Sequence, residues 1–414
     1  MRMRRIDRRQ LIAGLAGTLA MPAIVRAAPP AILLRRGMNL WPWFSLTREF
    51  PAPRTDYDWP PFQADRPIPT RHDLAALRRA GIGFVRLPID PGPLLAFSGE
   101  RRERLIGDVL GAIETALGED LSVVLNLHPN AATHHWTPAN LVGSVGAPLF
   151  TRYLGLVRDI AARLARLDPA RVAFEPLNEP PQACGPADWT LLQSELLRTA
   201  RRAAPELTLV ATGACGSMIA GLETLDPATL GDNTIHTFHF YEPYVFSHQG
   251  APWMSGEPMY RYLNALPWPS SAGSKPQTLA AVAARMAADR ITPEAEKRAI
   301  MATIERVLTQ YFDARPDRRF IERYFARVTA WAARHGIDRS RILLGEFGAL
   351  RTDERYVAAL APDRARYIRD VRETCEAAGI PWAFWNLFDG MGLMADDTSR
   401  TFDPAIAAAL GLRA

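Results

Sequence analysis

The sequence predicts an α/β fold, a single closed (β/α)8 barrel of the TIM type. Eight short apolar runs recur along the 414 residues, and amphipathic stretches of helical period lie between most of them. Strands that alternate with helices call for a parallel sheet, and a count of eight favours closing that sheet over leaving it open. There is no repeat of solenoid length and, after the N-terminal segment, no long apolar run.

The elements follow in order. "RRGMNL" (35–40) is the first strand, and a Trp- and Pro-rich stretch, 41–69, follows it as an insertion. "HDLAALRRAG" is helical, with Leu74 and Leu77 three apart and Gly81 as a stop. It leads into the second strand, "GFVRLPI" (83–89). "SVVLNLH" (122–128), "RVAFEPLN" (171–178), "LTLVAT" (207–212) and "TIHTFHF" (234–240) are the third to sixth strands, rich in β-branched and aromatic residues. A long segment, 241–340, comes next, in which "LPWPSSAGSKP" (266–276) reads as a surface loop followed by helices. "RILLGEF" (341–347) and "PWAFWNL" (381–387) are the last two strands, with the helix "YIRDVRETCEAAG" before the eighth and a final helix at 403–411. Residues 28–414 thus form one catalytic-size domain, and a monomer is expected.

Residues 1–27 stand apart. An Arg-rich start, the apolar run "LIAGLAGTLAM" and the small-x-small end Val25-Arg26-Ala27 make an export signal too short to span a membrane. Arg8-Arg9-Gln10-Leu11-Ile12 fits the twin-arginine pattern. The expected location is periplasmic or extracellular. The segment holds six arginines and one aspartate, so without it the 49 basic and 44 acidic residues become 43 of each. A neutral mature chain gives no footing for nucleic acid, which needs a basic surface. Three cysteines (184, 215 and 375) allow at most one disulfide and show no zinc spacing. Cys184 and Cys215 both follow strands, and whether they pair is left open.

The chemistry lies at strand ends, which face the mouth of such a barrel. Those ends carry Asn39, Arg86, His128, Asn178, Glu179, His239, Tyr241, Glu346 and Trp385. Two carboxylates on different strands are what glycoside acid/base chemistry requires, one protonated to assist departure and one ionised to attack. Arg86 beside Glu346 would keep that carboxylate ionised. Glu175 alternates with Leu177 and Glu179, so it points inward and reads as a structural partner. His134 and His135 read as loop or substrate contacts, since adjacent histidines rarely ligate one metal, and His248 reads as ordering its loop. Trp41, Trp43, Trp136, Trp253 and Trp385 follow or end strands, where an indole face could pack on a pyranose ring.

These motifs, "VRLPI" (85–89), "NLHP" (126–129), "PLNEPP" (176–181), "FHFYEPYVFSHQG" (238–250), "LLGEFGA" (343–349) and "WAFWNLFDG" (382–390), resemble glycoside hydrolase family 5, the cellulase family. The resemblance runs from about residue 35 to 390. It implies a retaining mechanism with Glu179 as acid/base and Glu346 as nucleophile; the sequence shows no ligand cluster, so no metal or other cofactor is expected. It also implies that Asn178 binds the sugar 2-hydroxyl and that Tyr241 and Arg86 hold Glu346. His128 and His239 would line the reacting subsite, and Trp385 would form its floor. The implied partner is a β-glycan, β-1,4-glucan first, with mannan or another β-glucan or β-glucoside as alternatives.

Other classes fit less well. A non-catalytic carbohydrate-binding barrel would be signalled by loss of either glutamate, and both are present. A serine hydrolase needs a G-x-S-x-G elbow, whereas "VGSVG" (142–146) lacks that spacing and follows no strand. No G-x-G-x-x-G follows the first strand, which argues against a nicotinamide enzyme.

Overall fold

The computed structural model describes residues 32–185 and 187–413, so the export-signal reading of 1–27 lies outside the described residues. Ten strands are present among the described residues: β1 (Arg36–Asn39), β2 (Thr47–Glu49), β3 (Tyr57–Phe62), β4 (Phe84–Ile89), β5 (Ser122–Leu127), β6 (Val172–Glu175), β7 (Thr208–Thr212), β8 (Thr234–His239), β9 (Ile342–Glu346) and β10 (Trp382–Phe384). Eight of them, β1 and β4 to β10, close a barrel in chain order, every pair parallel and β10 returning to β1. Each of the eight runs read from the sequence holds one barrel strand.

The two strands not foreseen, β2 and β3, form an antiparallel pair inside the 41–69 insertion. Two prolines and an aspartate hide that pair, because β3 reads "YDWPPF".

Period-two alternation divides the barrel strands between two environments. Outward residues such as Val85, Leu87, Val123, Leu125, Phe174 and Leu344 pack under the helices in the main core. Inward residues build the filling in layers. Ile32, Leu34, Phe84, Val124, Ala173, Val210, Ile235, Leu343 and Ala383 close the lower end as an apolar plug. Gly37 makes room for it, since a Cβ there would lie 2.3 Å from the Phe84 ring. Above the plug the inward positions turn polar, with Asn39, Arg86, Asn126 and Glu175 all 0% exposed. The fold thus seals one end with hydrocarbon and leaves the carboxyl ends of the strands free for chemistry.

The 241–340 segment carries the helices Lys275–Ala288, Glu294–Ala314 and Arg318–His335. The stretch 266–276 departs from the expected surface loop in its first half. Leu266, Trp268 and Ser270 are buried, while 271–273 are exposed. The Trp268 indole donates to Asp370 (2.9 Å), its backbone N–H donates to Asp363 (2.9 Å), and Tyr311 donates to the Pro267 carbonyl (2.6 Å). Proline-rich sequence reads as loop, yet prolines lacking N–H groups are cheap to bury when their carbonyls find donors.

Cys184 and Cys215 form a disulfide, with Cα atoms 4.8 Å apart, joining the loops after β6 and β7. Cys375 is a free thiol buried in the helix Ala361–Ala377. No described helix is long and apolar enough to cross a membrane.

Candidate active site

Arg86 sits in the middle of β4 with a fully buried side chain. Its Nε and Nη2 donate to the two oxygens of Glu175 (2.7 and 2.9 Å). Nη1 donates to Asn39 Oδ1 (3.0 Å) and to Glu346 Oε1 (2.8 Å), and Nη2 also donates to Asn178 Oδ1 (2.7 Å). A planar guanidinium can serve four groups in fixed directions, which an ammonium cannot. Glu175 takes the structural role read for it.

The donors of Arg86 determine what lies above. Because the guanidinium only donates, Asn178 presents its oxygen to Arg86 and its amide nitrogen to His128 Nε2 at 3.2 Å. That ring nitrogen must accept, so the His128 proton is on Nδ1, facing Asn126 Oδ1 at 3.2 Å. Burial, then the nearby Arg86 charge, pushes the His128 pKa down to about 3, so the ring is neutral. Asn126 was not singled out in the sequence, although its place two residues before His128 puts it on the same inward face.

Glu179 and Glu346 approach each other around His239. His239 Nδ1 is 2.7 Å from Glu179 Oε1 and 3.6 Å from Glu346 Oε2, which also accepts from the Tyr241 hydroxyl at 2.9 Å. Gly345 clears space for the imidazole, since a Cβ there would lie 3.0 Å from His239 Nε2. Glu179 adopts a left-handed φ of 40°, costly for a residue with a Cβ. The turn is held from several sides. Asn178 N–H donates to the Leu127 carbonyl (2.8 Å), Gly216 N–H to the Pro180 carbonyl (2.9 Å) and Cys215 N–H to the Gln182 carbonyl (2.7 Å), beside the disulfide.

Electrostatics couple these groups. Burial pushes the Glu179 carboxyl up, but the His239 hydrogen bond and charge outweigh it and hold its pKa below the usual range. Burial pushes Glu346 up, and the Glu179 charge adds to this, against the opposing pull of His239 and Arg86. His239 is raised, because the Glu346 charge and the Glu179 hydrogen bond together exceed the cost of burying its cation. The Arg86 charge is shared between Glu175 and Glu346, and the two carboxylates around His239 favour its protonated form. Burial and the Glu346 charge push Tyr241 far up, so its phenol remains a donor.

Ligand atoms of Glu179, His239 and Glu346 all lie within 4.8 Å of one another, close enough in principle to hold a cation. A guanidinium already bonded to Glu346 opposes a second positive charge there.

The aromatic residues divide. Trp385 is half-buried, stacked 5.6 Å from the His128 ring and 6.1 Å from Trp41. Trp41, His128, Asn178 and Glu179 line a cleft of about 320 Å³. Two expectations are corrected. Trp136 is 2% exposed, its indole donates to the Thr55 carbonyl (2.7 Å), and Arg152 lies over its ring, so no face is open to a sugar. Trp43 faces a separate groove on the outer side of the barrel. Following a strand in sequence does not determine which way a ring turns. His134 and His135 donate backbone N–H groups to Glu49, and His248 lies against Tyr241 and Tyr244, so all three order loops.

An eight-stranded barrel with this pair of glutamates at its mouth defines a barrel of glycosidase type. A model of "Cellulase (glycosyl hydrolase family 5)" matches residues 52–390, and the chain belongs to that family. Endoglucanase 3 of Fibrobacter succinogenes is 26% identical over 231 residues, 55% of this chain and 31% of that protein. Cellodextrinase A of Ruminococcus flavefaciens is 26% identical over 183 residues, 44% of this chain and 54% of that one. The chain thus spans about a third to a half of the length of these two curated relatives. Endoglucanase Cel5A of Thermotoga maritima shares the fold at a TM-score of 0.65 and 23% identity, over 91% of this chain and 96% of that one.

Replacing Trp136 by Phe should leave the Thr55 carbonyl without its donor and lower stability by about 1–3 kcal/mol. Substrate KM should not change. Denaturant unfolding with parallel kinetics checks both, and a raised KM at unchanged stability would return Trp136 to the cleft.

Proposed function

We propose that the chain is a retaining, endo-acting β-glycoside hydrolase that cleaves β-1,4-linked glucan, with Glu346 as nucleophile and Glu179 as acid/base. The observation that carries this reading is that one oxygen of Glu179 and one of Glu346 lie within 4.8 Å of each other around His239. Retaining enzymes place the pair about 5–5.5 Å apart, whereas inverting ones leave about 6.5–9.5 Å for a water.

Roles follow from surroundings. Glu346 is 4% exposed and is aimed by Arg86 and Tyr241, as a nucleophile needs. Glu179 is 38% exposed and opens to the cleft, where a leaving oxygen would lie. A bound sugar excludes water from Glu179 and raises its pKa, which draws the His239 proton across the 2.7 Å hydrogen bond. The Glu346 carboxylate attacks the anomeric carbon as the glycosidic bond breaks, and Glu179 delivers the proton to the departing oxygen. Water, deprotonated by Glu179, then releases the glycosyl group from Glu346. Asn178 uses one amide N–H on His128 and keeps the other for the sugar 2-hydroxyl. Trp385 and Trp41 offer ring faces below the sugar.

Family membership and the endoglucanase and cellodextrinase relatives support glucan. Thermotoga maritima Cel5A has been solved with cellobiose and with mannotriose, which makes mannan the second reading. Reducing-sugar release from carboxymethylcellulose, glucomannan, mannan and laminarin separates them. The signal-like N-terminal segment supports export, and a single-domain, monomeric enzyme is the accompanying proposal.

Glu179→Ala should lose most activity on glucan but far less on an aryl glycoside with a good leaving group, and azide should then yield the β-glycosyl azide. Glu346→Ala rescued by azide should yield the α-azide by a single inversion. Swapped products would reverse the assignments.

Glu175→Gln should leave more of the Arg86 charge to Glu346 and lower the pKa of that carboxyl. Since Glu346 must be ionised to attack, the acid limb of kcat/KM should move to lower pH. An acid limb that stays in place or moves up would contradict the charge sharing.

A further inference from the structure

We propose that the chain carries a second β-glucan-binding groove on the outer side of the barrel, one that holds polymer without cleaving it. This rests on the reading of the cleft as a glucanase site. The groove has a volume of about 650 Å³ and lies between the insertion that contains β2 and β3 and the helix Gly99–Gly118. That size falls within the roughly 300–1,000 Å³ of ordinary ligand sites.

Its walls suit a pyranose chain. Trp43, Trp59 and Phe62 line it, all half-buried. Trp43 stacks on Phe44 (5.2 Å, 17° between planes), which fixes the indole against its own loop. Trp59 meets Phe97 edge-on at 5.3 Å. Phe44, Arg101 (5.4 Å) and Arg66 (4.6 Å) cover one face each of Trp43, Trp59 and Phe62, and the part of each ring left half-exposed is what can receive the C–H face of a sugar. Arg104 and Asp108 stand exposed on the helix and make no ion pair or side-chain hydrogen bond among the described residues. Hydroxyl groups can pair with both. Arg66 lines the groove as well, so donors and an acceptor face it, as the hydroxyl groups of a sugar chain need.

The helix adds an independent sign. Gly107 and Gly111 lie in its interior, are exposed and line the groove, and a Cβ on either would meet nothing within 4 Å. An interior glycine costs a helix about 1 kcal/mol relative to alanine. No packing among the described residues requires them to be small. A flat floor beneath a ligand does.

The groove also shares a wall with the cleft. Trp41, Ser45 and Leu46 line the cleft, while Trp43 and Phe44 line the groove. Polymer leaving the cleft therefore has an anchoring surface on the other side of one short segment.

The test is retardation of the full chain in native gels that contain soluble barley β-glucan, in a Glu346→Gln background so that polymer is not consumed. Gly107→Gln with Gly111→Gln fills the groove with helix-favouring side chains and should preserve the fold. Trp43→Ala with Trp59→Ala removes the platforms. Each pair should weaken retardation roughly tenfold. In the Glu346 parent, each should leave kcat/KM on an aryl cellobioside within about twofold, because that substrate fills only the cleft. Unchanged retardation by the folded glycine variant would overturn the proposal, as it would if the occupant were a protein. Retardation needs no turnover, so a chain that hydrolyses no glucan would sink the catalytic reading while this measurement still decides the groove.

Discussion

One buried guanidinium organises the polar half of the barrel. Arg86 is surrounded by Glu175, Asn39, Asn178 and Glu346, and its charge would be expensive to bury without them. In return it orients Asn178, which determines the His128 tautomer, and it aims Glu346 from below. Lysine could supply the charge but not four directed contacts in one plane. The apolar plug beneath makes this arrangement possible by keeping water out from the lower end.

A second constraint acts on Glu179. Its carboxylate must reach over the mouth toward His239, and the chain accomplishes this with a left-handed turn. Such a turn persists only when its surroundings over-determine it. The disulfide and the backbone bonds between the loops after β6 and β7 supply that restraint. Gly345 completes the site by leaving room for His239, which ties both carboxylates into one protonation system.

All eight barrel strands were legible in the sequence, because runs such as "SVVLNL" are apolar and β-branched on both faces, as a doubly covered parallel sheet demands. The polar cluster was legible for a related reason: Arg86, Glu175 and Glu346 interrupt hydrocarbon where charge must be paired or used. What escaped depended on directions that lie outside local sequence. Trp43 and Trp136 follow strands as cleft residues do, but their rings turn away from the cleft. Trp268 sits in a Pro- and Ser-rich run whose burial depends on Asp363 and Asp370 from a distant helix. Cys184 and Cys215 are 31 residues apart in sequence, and their pairing follows only from the meeting of two loops in space.

The central claim is that two carboxylates brought together by His239 and Arg86 carry out double displacement at an anomeric carbon. The most direct measurement is proton NMR of the anomeric region during the first minutes of cellohexaose cleavage, with enzyme concentrated enough to outrun mutarotation. The account predicts that the β-anomer of the new reducing end appears first and the α-anomer only as mutarotation proceeds. An α-anomer that appears first would mean a single inversion, and would contradict the assignment of Glu346 as a nucleophile.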